Sequence, residues 1–88
     1  MNYIYYGIFS SPYVNDGEKY LSTNPAESLD ELYERCGTDE TVEDYIAFDK
    51  DDLIACKSAF NQCRKFMCDD LLVRMDFGNL DVDAVLSE

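Results

Sequence analysis

Thr38-Asp39-Glu40-Thr41-Val42-Glu43-Asp44-Tyr45-Ile46-Ala47-Phe48 is the segment on which the architecture of this chain turns. Val42, Tyr45 and Ile46 recur at i, i+3 and i+4, and Phe48 extends the same apolar side. Asp39, Glu40, Glu43 and Asp44 fall in the opposite phase, and Thr38 offers an N-cap. This spacing predicts a short amphipathic helix.

The flanking segments read the same way. Upstream, Thr23 or Asn24 can cap and Pro25 fits the first position of a helix that runs to Cys36 and stops at Gly37. Leu29, Leu32, Tyr33 and Cys36 form its apolar stripe, and Glu27, Asp30, Glu31 and Glu34 recur on the other side. Downstream, Asp49 is expected to cap a third and longest helix with the core line Leu53, Cys56, Phe60, Cys63, Met67 and Leu71. Ala59, Phe66 and Leu72 widen that line, and Asp69-Asp70 is its candidate break.

Before the helices lies Tyr3-Ile4-Tyr5-Tyr6-Gly7-Ile8-Phe9, continuously apolar and rich in aromatic and β-branched residues. Such a run suits a strand covered on both faces. Asn15-Asp16-Gly17 supplies a turn into a second strand over Glu18–Ser22, which makes a hairpin with a long connection. The tail reads two ways: Leu80, Val82, Ala84 and Leu86 alternate as a strand would, whereas Asn79 capping Val82, Val85 and Leu86 gives a short helix, the preferred reading. The expected fold is α+β and a single domain over residues 1–88: an N-terminal β-hairpin, three helices of which the third is long and amphipathic, and a short C-terminal element.

Charge sets the functional expectation. Nineteen acidic against seven basic side chains, with no histidine, give a formal net charge of -12. The excess is concentrated. Ala26 to Asp52 carries eleven carboxylates and two cations, whereas Leu53 to Met75 carries two carboxylates and four cations. A small domain with this much like charge is expected to need a stabilising device, and homodimerisation is the favoured one. Residues 1–9 lack a basic n-region and a small-residue cleavage site and are too few to span a bilayer, so they read as structure, and the expected location is cytoplasmic.

Chemistry is sparse. Spacings of seven and five residues put Cys56, Cys63 and Cys68 about 10 and 7 Å apart along one helix, too far for a comfortable disulfide. The cysteines therefore read as free thiols used as small hydrophobes, with only Cys36 able to find a partner. Asp49-x-Asp51-Asp52 and Asp81-x-Asp83 resemble calcium loops, but Ile54 and Phe60 stand where a loop beginning at Asp49 would need Gly and Glu, and a loop beginning at Asn79 would need Gly at Ala84 and runs out of chain. With no histidine and no C-x2-C pair, zinc has no ligand set; no catalysis, cofactor or metal is expected.

Carboxylates three and four apart on a helix lie roughly 5–6 Å from one another, comparable with the charge spacing of a nucleic-acid backbone. Glu27, Asp30, Glu31, Glu34, Asp39, Glu40, Glu43 and Asp44, on two successive helices, are thus the expected partner-binding residues. The partner would be a basic protein surface, the nucleic-acid groove of an enzyme or complex; no direct contact with nucleic acid or membrane is expected. In size and charge the chain resembles small phage- or plasmid-encoded inhibitors of the anti-CRISPR and anti-restriction type, a likeness that no motif carries and that assigns no residue a role. The alternative is a dimeric adaptor or regulatory module that works through its Tyr-rich strand or long helix, with the acids serving solubility. Lys57, Arg64, Lys65 and Arg74 are expected to neutralise neighbouring acids.

Overall fold

The N-terminal apolar run forms β1 (Tyr3–Ser10), the central strand of a three-stranded antiparallel sheet ordered β2-β1-β3. The computed structural model describes residues 2–88. β1 is covered on both faces only over its second half: Ile4, Tyr6 and Ile8 are buried on one side, Gly7 and Phe9 on the other, while Tyr3 is exposed and Tyr5 half-buried. The long connection passes through Asn15 and Asp16, both at positive φ (51° and 56°), before β2 (Tyr20–Leu21), which is shorter than the strand expected over Glu18–Ser22.

Residues 38–48 are not a helix. Thr41–Asp49 is β3, paired antiparallel with β1 from Tyr3↔Asp49 to Ser10↔Thr41, and Asp39 and Glu40 lie in the loop before it. The register carries a bulge: Ile8 pairs with Asp44 but Phe9 with Val42, so Glu43 is an extra residue. The Ser10 hydroxyl fixes the bulge by donating to the Glu43 carboxylate (2.6 Å). The extra residue reverses the facing of what precedes it. Ile46 and Phe48 enter the main core, whereas Val42 packs with the cluster on the opposite face of the sheet.

The helices also depart from expectation. Pro25 and Ala26 do not begin one; Ala26 runs extended and exchanges two backbone hydrogen bonds with Tyr5, each 2.9 Å. The first helix, α1 (Leu29–Glu34), starts at Ser28, whose hydroxyl accepts from the Glu31 N–H (3.1 Å), while the Glu31 carboxylate accepts from the Glu27 N–H (2.9 Å). This is a capping box shifted by one donor. Of the expected stripe only Leu32 is buried, and Tyr33 is exposed.

Asp52, not Asp49, caps α2 (Leu53–Cys63), accepting from the N–H groups of Ile54 (3.0 Å) and Ala55 (3.2 Å). The expected long helix therefore has eleven residues, and a turn separates it from α3 (Asp69–Leu72). A straight continuation would carry Leu72 about 13 Å beyond Cys63 along the axis. The turn instead returns Leu72 to the core, fully buried, with Leu53 and Leu71 left exposed. Arg64 braces the turn, bonding Asp69 (3.1 and 3.3 Å) and lying 5.7 Å from the centre of the Phe60 ring. The tail takes the helical form, α4 (Val82–Leu86), capped by Asp81 rather than Asn79.

One side of the sheet carries the main core, in which Ile4, Tyr6, Ile8, Ile46 and Phe48 meet Cys56, Phe60 and Cys63 of α2 and then Leu72, Met75 and Phe77. Phe77 is its hub, edge-on to Phe60 at 5.3 Å and stacked on Phe48 at 6.1 Å. The other side holds Phe9, Ala26 and Leu32. Glycine at position 7 permits that contact, because a Cβ there would lie 2.8 Å from Leu32 Cδ1 and 2.7 Å from the Phe9 ring.

Candidate functional site

None of the nineteen carboxyl side chains belongs to a buried residue, and sixteen belong to exposed ones. Among the described residues only two ion pairs form, Glu31–Arg35 and Asp69–Arg64. Of the four central cations expected to neutralise acids, Arg64 alone does so. The negative charge is thus carried on the surface almost without internal compensation.

The eight predicted partner-binding residues do not form two helical ridges. Asp30 and Glu34 are exposed on α1, with Glu27 exposed just before it. Glu31 is half-buried and committed to Arg35 and the Glu27 N–H. Asp39 is exposed in the loop, and Glu43 and Asp44 project from β3, Glu43 held by Ser10 and Asp44 accepting from the Tyr45 N–H (2.8 Å). Glu40 is half-buried: its carboxylate accepts from the Tyr20 hydroxyl and from the Gly37 N–H (2.8 Å). The bond from Tyr20 holds the Glu40 carboxyl below its ordinary pKa, and the same bond pushes the Tyr20 phenol up to about 12. These two residues, with Phe9, Leu21 and Arg35, line an open cleft. Its one cation is already taken, since Arg35 bonds both Glu31 and the Pro25 carbonyl.

The Tyr-rich strand named in the alternative reading gains a member that sequence reasoning missed, Tyr45. Tyr3, Tyr5 and Tyr45 lie in a row on the sheet face shared with α1, with ring centroids 6.3 and 6.1 Å apart. Tyr3 and Tyr45 are exposed, and so is Ala47, which stands opposite Tyr5. Of the N-terminal tyrosines expected as an interface, Tyr6 is excluded by complete burial. The signal for this surface was present in the β-forming residues Thr41, Val42, Tyr45, Ile46 and Phe48.

All four cysteines are free. Burial pushes the Cys63 thiol up to about 12 and raises that of Cys56, whose Sγ–H points at the Lys50 carbonyl (3.4 Å). Thiols held in the neutral form are poor nucleophiles and poor ligands. No cluster of three or more Cys, Asp or Glu able to hold a metal ion occurs among the described residues, and no helix among them is long and apolar enough to cross a membrane. Comparison with family models, with curated proteins and with solved structures finds no match to this chain.

Proposed function

We propose that this protein is a non-catalytic binding protein that occupies a positively charged surface of its target, the nucleic-acid groove of an enzyme or complex, as an inhibitor of the anti-CRISPR or anti-restriction type would. The observation that carries the reading is the uncompensated surface charge: a net -12 with no buried carboxylate and two ion pairs among the described residues. Holding so many like charges on a small domain costs folding free energy, and a cationic partner relieves that cost. With the helical ridge gone, four of its acids keep carboxylates free of any hydrogen bond among the described residues: Glu27 just before α1, Asp30 and Glu34 on it, and Asp39 beyond it.

Binding to such a target is expected to release counterions. With roughly four carboxylates standing in for phosphates, affinity falls about a hundredfold between ~50 and ~200 mM salt. The variant Asp30→Lys, Glu34→Lys, Asp39→Lys halves the net charge, each reversal being worth two charges, and breaks none of the recorded bonds. It should slow association while leaving the thermal midpoint unchanged or higher. Competition with a DNA or RNA duplex for the isolated target decides the matter; a target that binds both together, at an affinity indifferent to salt and to the triple reversal, overturns the proposal. The exposed tyrosine row favours a second reading, an adaptor docking through the sheet, in which Tyr45→Ser abolishes binding and the reversals do not.

A further inference from the structure

Among the described residues the outer edge of β3 has no neighbouring strand. Lys50 donates its N–H to the Asn2 carbonyl (2.8 Å), and bonded pairs then alternate along the antiparallel ladder, so that Phe48, Ile46 and Asp44 turn their main-chain groups towards β1. Tyr5 and Gly7 give the same phase independently. Their groups bond Ala26 and Ser22 on the other side of β1, so the residues opposite them, Ala47 and Tyr45, face away from the sheet. The N–H and C=O of Ala47 meet no partner among the described residues, and the Tyr45 N–H is held only by the carboxylate of Asp44 beside it. The Asp49 carbonyl closes the open stretch, being used by the Asp52 N–H (3.0 Å). Ala47 itself is exposed, and no other element among the described residues pairs with this edge.

We infer that this edge takes an extended, lysine- or arginine-rich segment of the partner as a fourth strand, adding main-chain bonds at Tyr45, Ala47 and Asp49 to the charge attraction. The choice of a cationic occupant rests on the acidic-surface reading above. Glu43, Asp44 and Asp49 flank the open stretch, and no cation lies within Thr41–Asp49. A lysine arriving beside Asp44 takes over that carboxylate and releases the Tyr45 N–H for the incoming carbonyl. A second copy of this chain fits worse, because self-pairing would bring two such acidic strands, and two bodies of net charge -12, against each other. Backbone pairing supplies affinity and the flanking charges choose the sequence.

The test uses the whole protein and end-capped peptides matched to the nine residues of β3. One peptide alternates lysine and threonine, and one alternates glutamate and threonine. Two further lysine peptides are N-methylated at every lysine or at every threonine, which blocks one strand edge or the other while keeping the charge. Strand addition predicts that the lysine peptide protects the Ala47 and Asp49 amides from hydrogen exchange. One N-methylated form then binds like the parent, while the other, and the glutamate peptide, bind at least about tenfold more weakly. Ala47→Pro removes only a solvent-facing N–H and should weaken the lysine peptide by a similar factor with the circular dichroism spectrum retained. Equal binding of both N-methylated forms overturns strand addition and leaves the acidic-surface reading intact. Lysine and glutamate peptides binding alike overturns the choice of occupant. Absence of any peptide binding, or Ala47 and Asp49 amides already protected in a sedimenting dimer, overturns the inference outright.

Discussion

Replacing Tyr6 by Phe isolates one polar clamp. Tyr6 is fully buried in β1, and its hydroxyl both donates to the Asp76 carbonyl (2.8 Å) and accepts from the Asp76 N–H (2.7 Å). Phenylalanine fills the same ring volume and keeps the contacts with Phe48 and Phe77, so no cavity term enters. What is lost is two hydrogen bonds, and two main-chain groups beside the core are left to find water. Two bonds at about 1 kcal/mol each, plus part of the desolvation of the abandoned groups, give about 2–3 kcal/mol. In a domain of this size that lowers the melting midpoint by roughly 10–20 °C. Urea and thermal denaturation followed by far-ultraviolet circular dichroism measure it, with an unchanged urea slope expected and Tyr5→Phe, whose hydroxyl makes no recorded bond, as control. A midpoint within about 2 °C of the parent would refute the clamp.

Three further outcomes are expected. Burial raises the Tyr6 phenol and lifts the Cys63 thiol from its ordinary 9.0 to about 12; the folded state therefore keeps protons that the unfolded chain releases, so stability is whole below about pH 9 and falls as pH rises above it, a decline that urea titrations from about pH 8 to 11 detect and that Tyr6→Phe makes shallower. Ellman's reagent should modify exposed Cys68 first and half-buried Cys36 more slowly, reaching buried Cys56 and Cys63 only on unfolding; four equally fast thiols would contradict the packing. Gly78→Ala forces a side chain onto φ +62° with its Cβ 2.3 Å from the Lys50 carbonyl oxygen, whereas Gly17→Ala, at φ +85°, meets nothing within 4 Å; denaturation should show ~3 kcal/mol lost at Gly78 and ~1 kcal/mol at Gly17.

β1 was legible because its run of aromatic and β-branched residues suits a strand, and coverage on both faces holds for Tyr6 to Phe9, though not for exposed Tyr3. The acidic character of α1 was legible too, whereas the tail read equally as strand or helix until the Asp81 cap decided it. β3 was not legible, for two local reasons. Asp44 sits in the phase of buried Ile46 and Phe48 yet is exposed, and the Glu43 bulge sends Val42 to the far side of the sheet, so the alternation of a strand was overwritten by the spacing of a helix. The end of α2 was hidden differently: Phe60, Cys63, Met67 and Leu71 stay in helical phase through the turn, and no Gly or Pro marks it. Only the return of Leu72 and Phe77 to the sheet, a tertiary contact, breaks the helix there. The candidate site followed the secondary structure. Acids placed by composition remain exposed on α1, whereas the ridge drawn through residues 39–44 dissolved with the helix that carried it.

The central place of β1 in the sheet bears on how the chain is made. β1 leaves the ribosome before every residue that completes it: its sheet partner Thr41–Asp49 follows some forty positions later, and the hydroxyl of Tyr6 waits for Asp76, 70 positions on. Until Phe77 emerges, the nascent chain displays a bare β-prone run, the kind of segment that joins neighbouring chains into aggregates. Fragments ending before Phe77 are accordingly expected to be digested by protease as fast as unfolded chain. The eleven carboxylates between Ala26 and Asp52 emerge during that interval, and as gatekeepers they hold half-made copies on a polysome apart while the earliest strand is still without its partners.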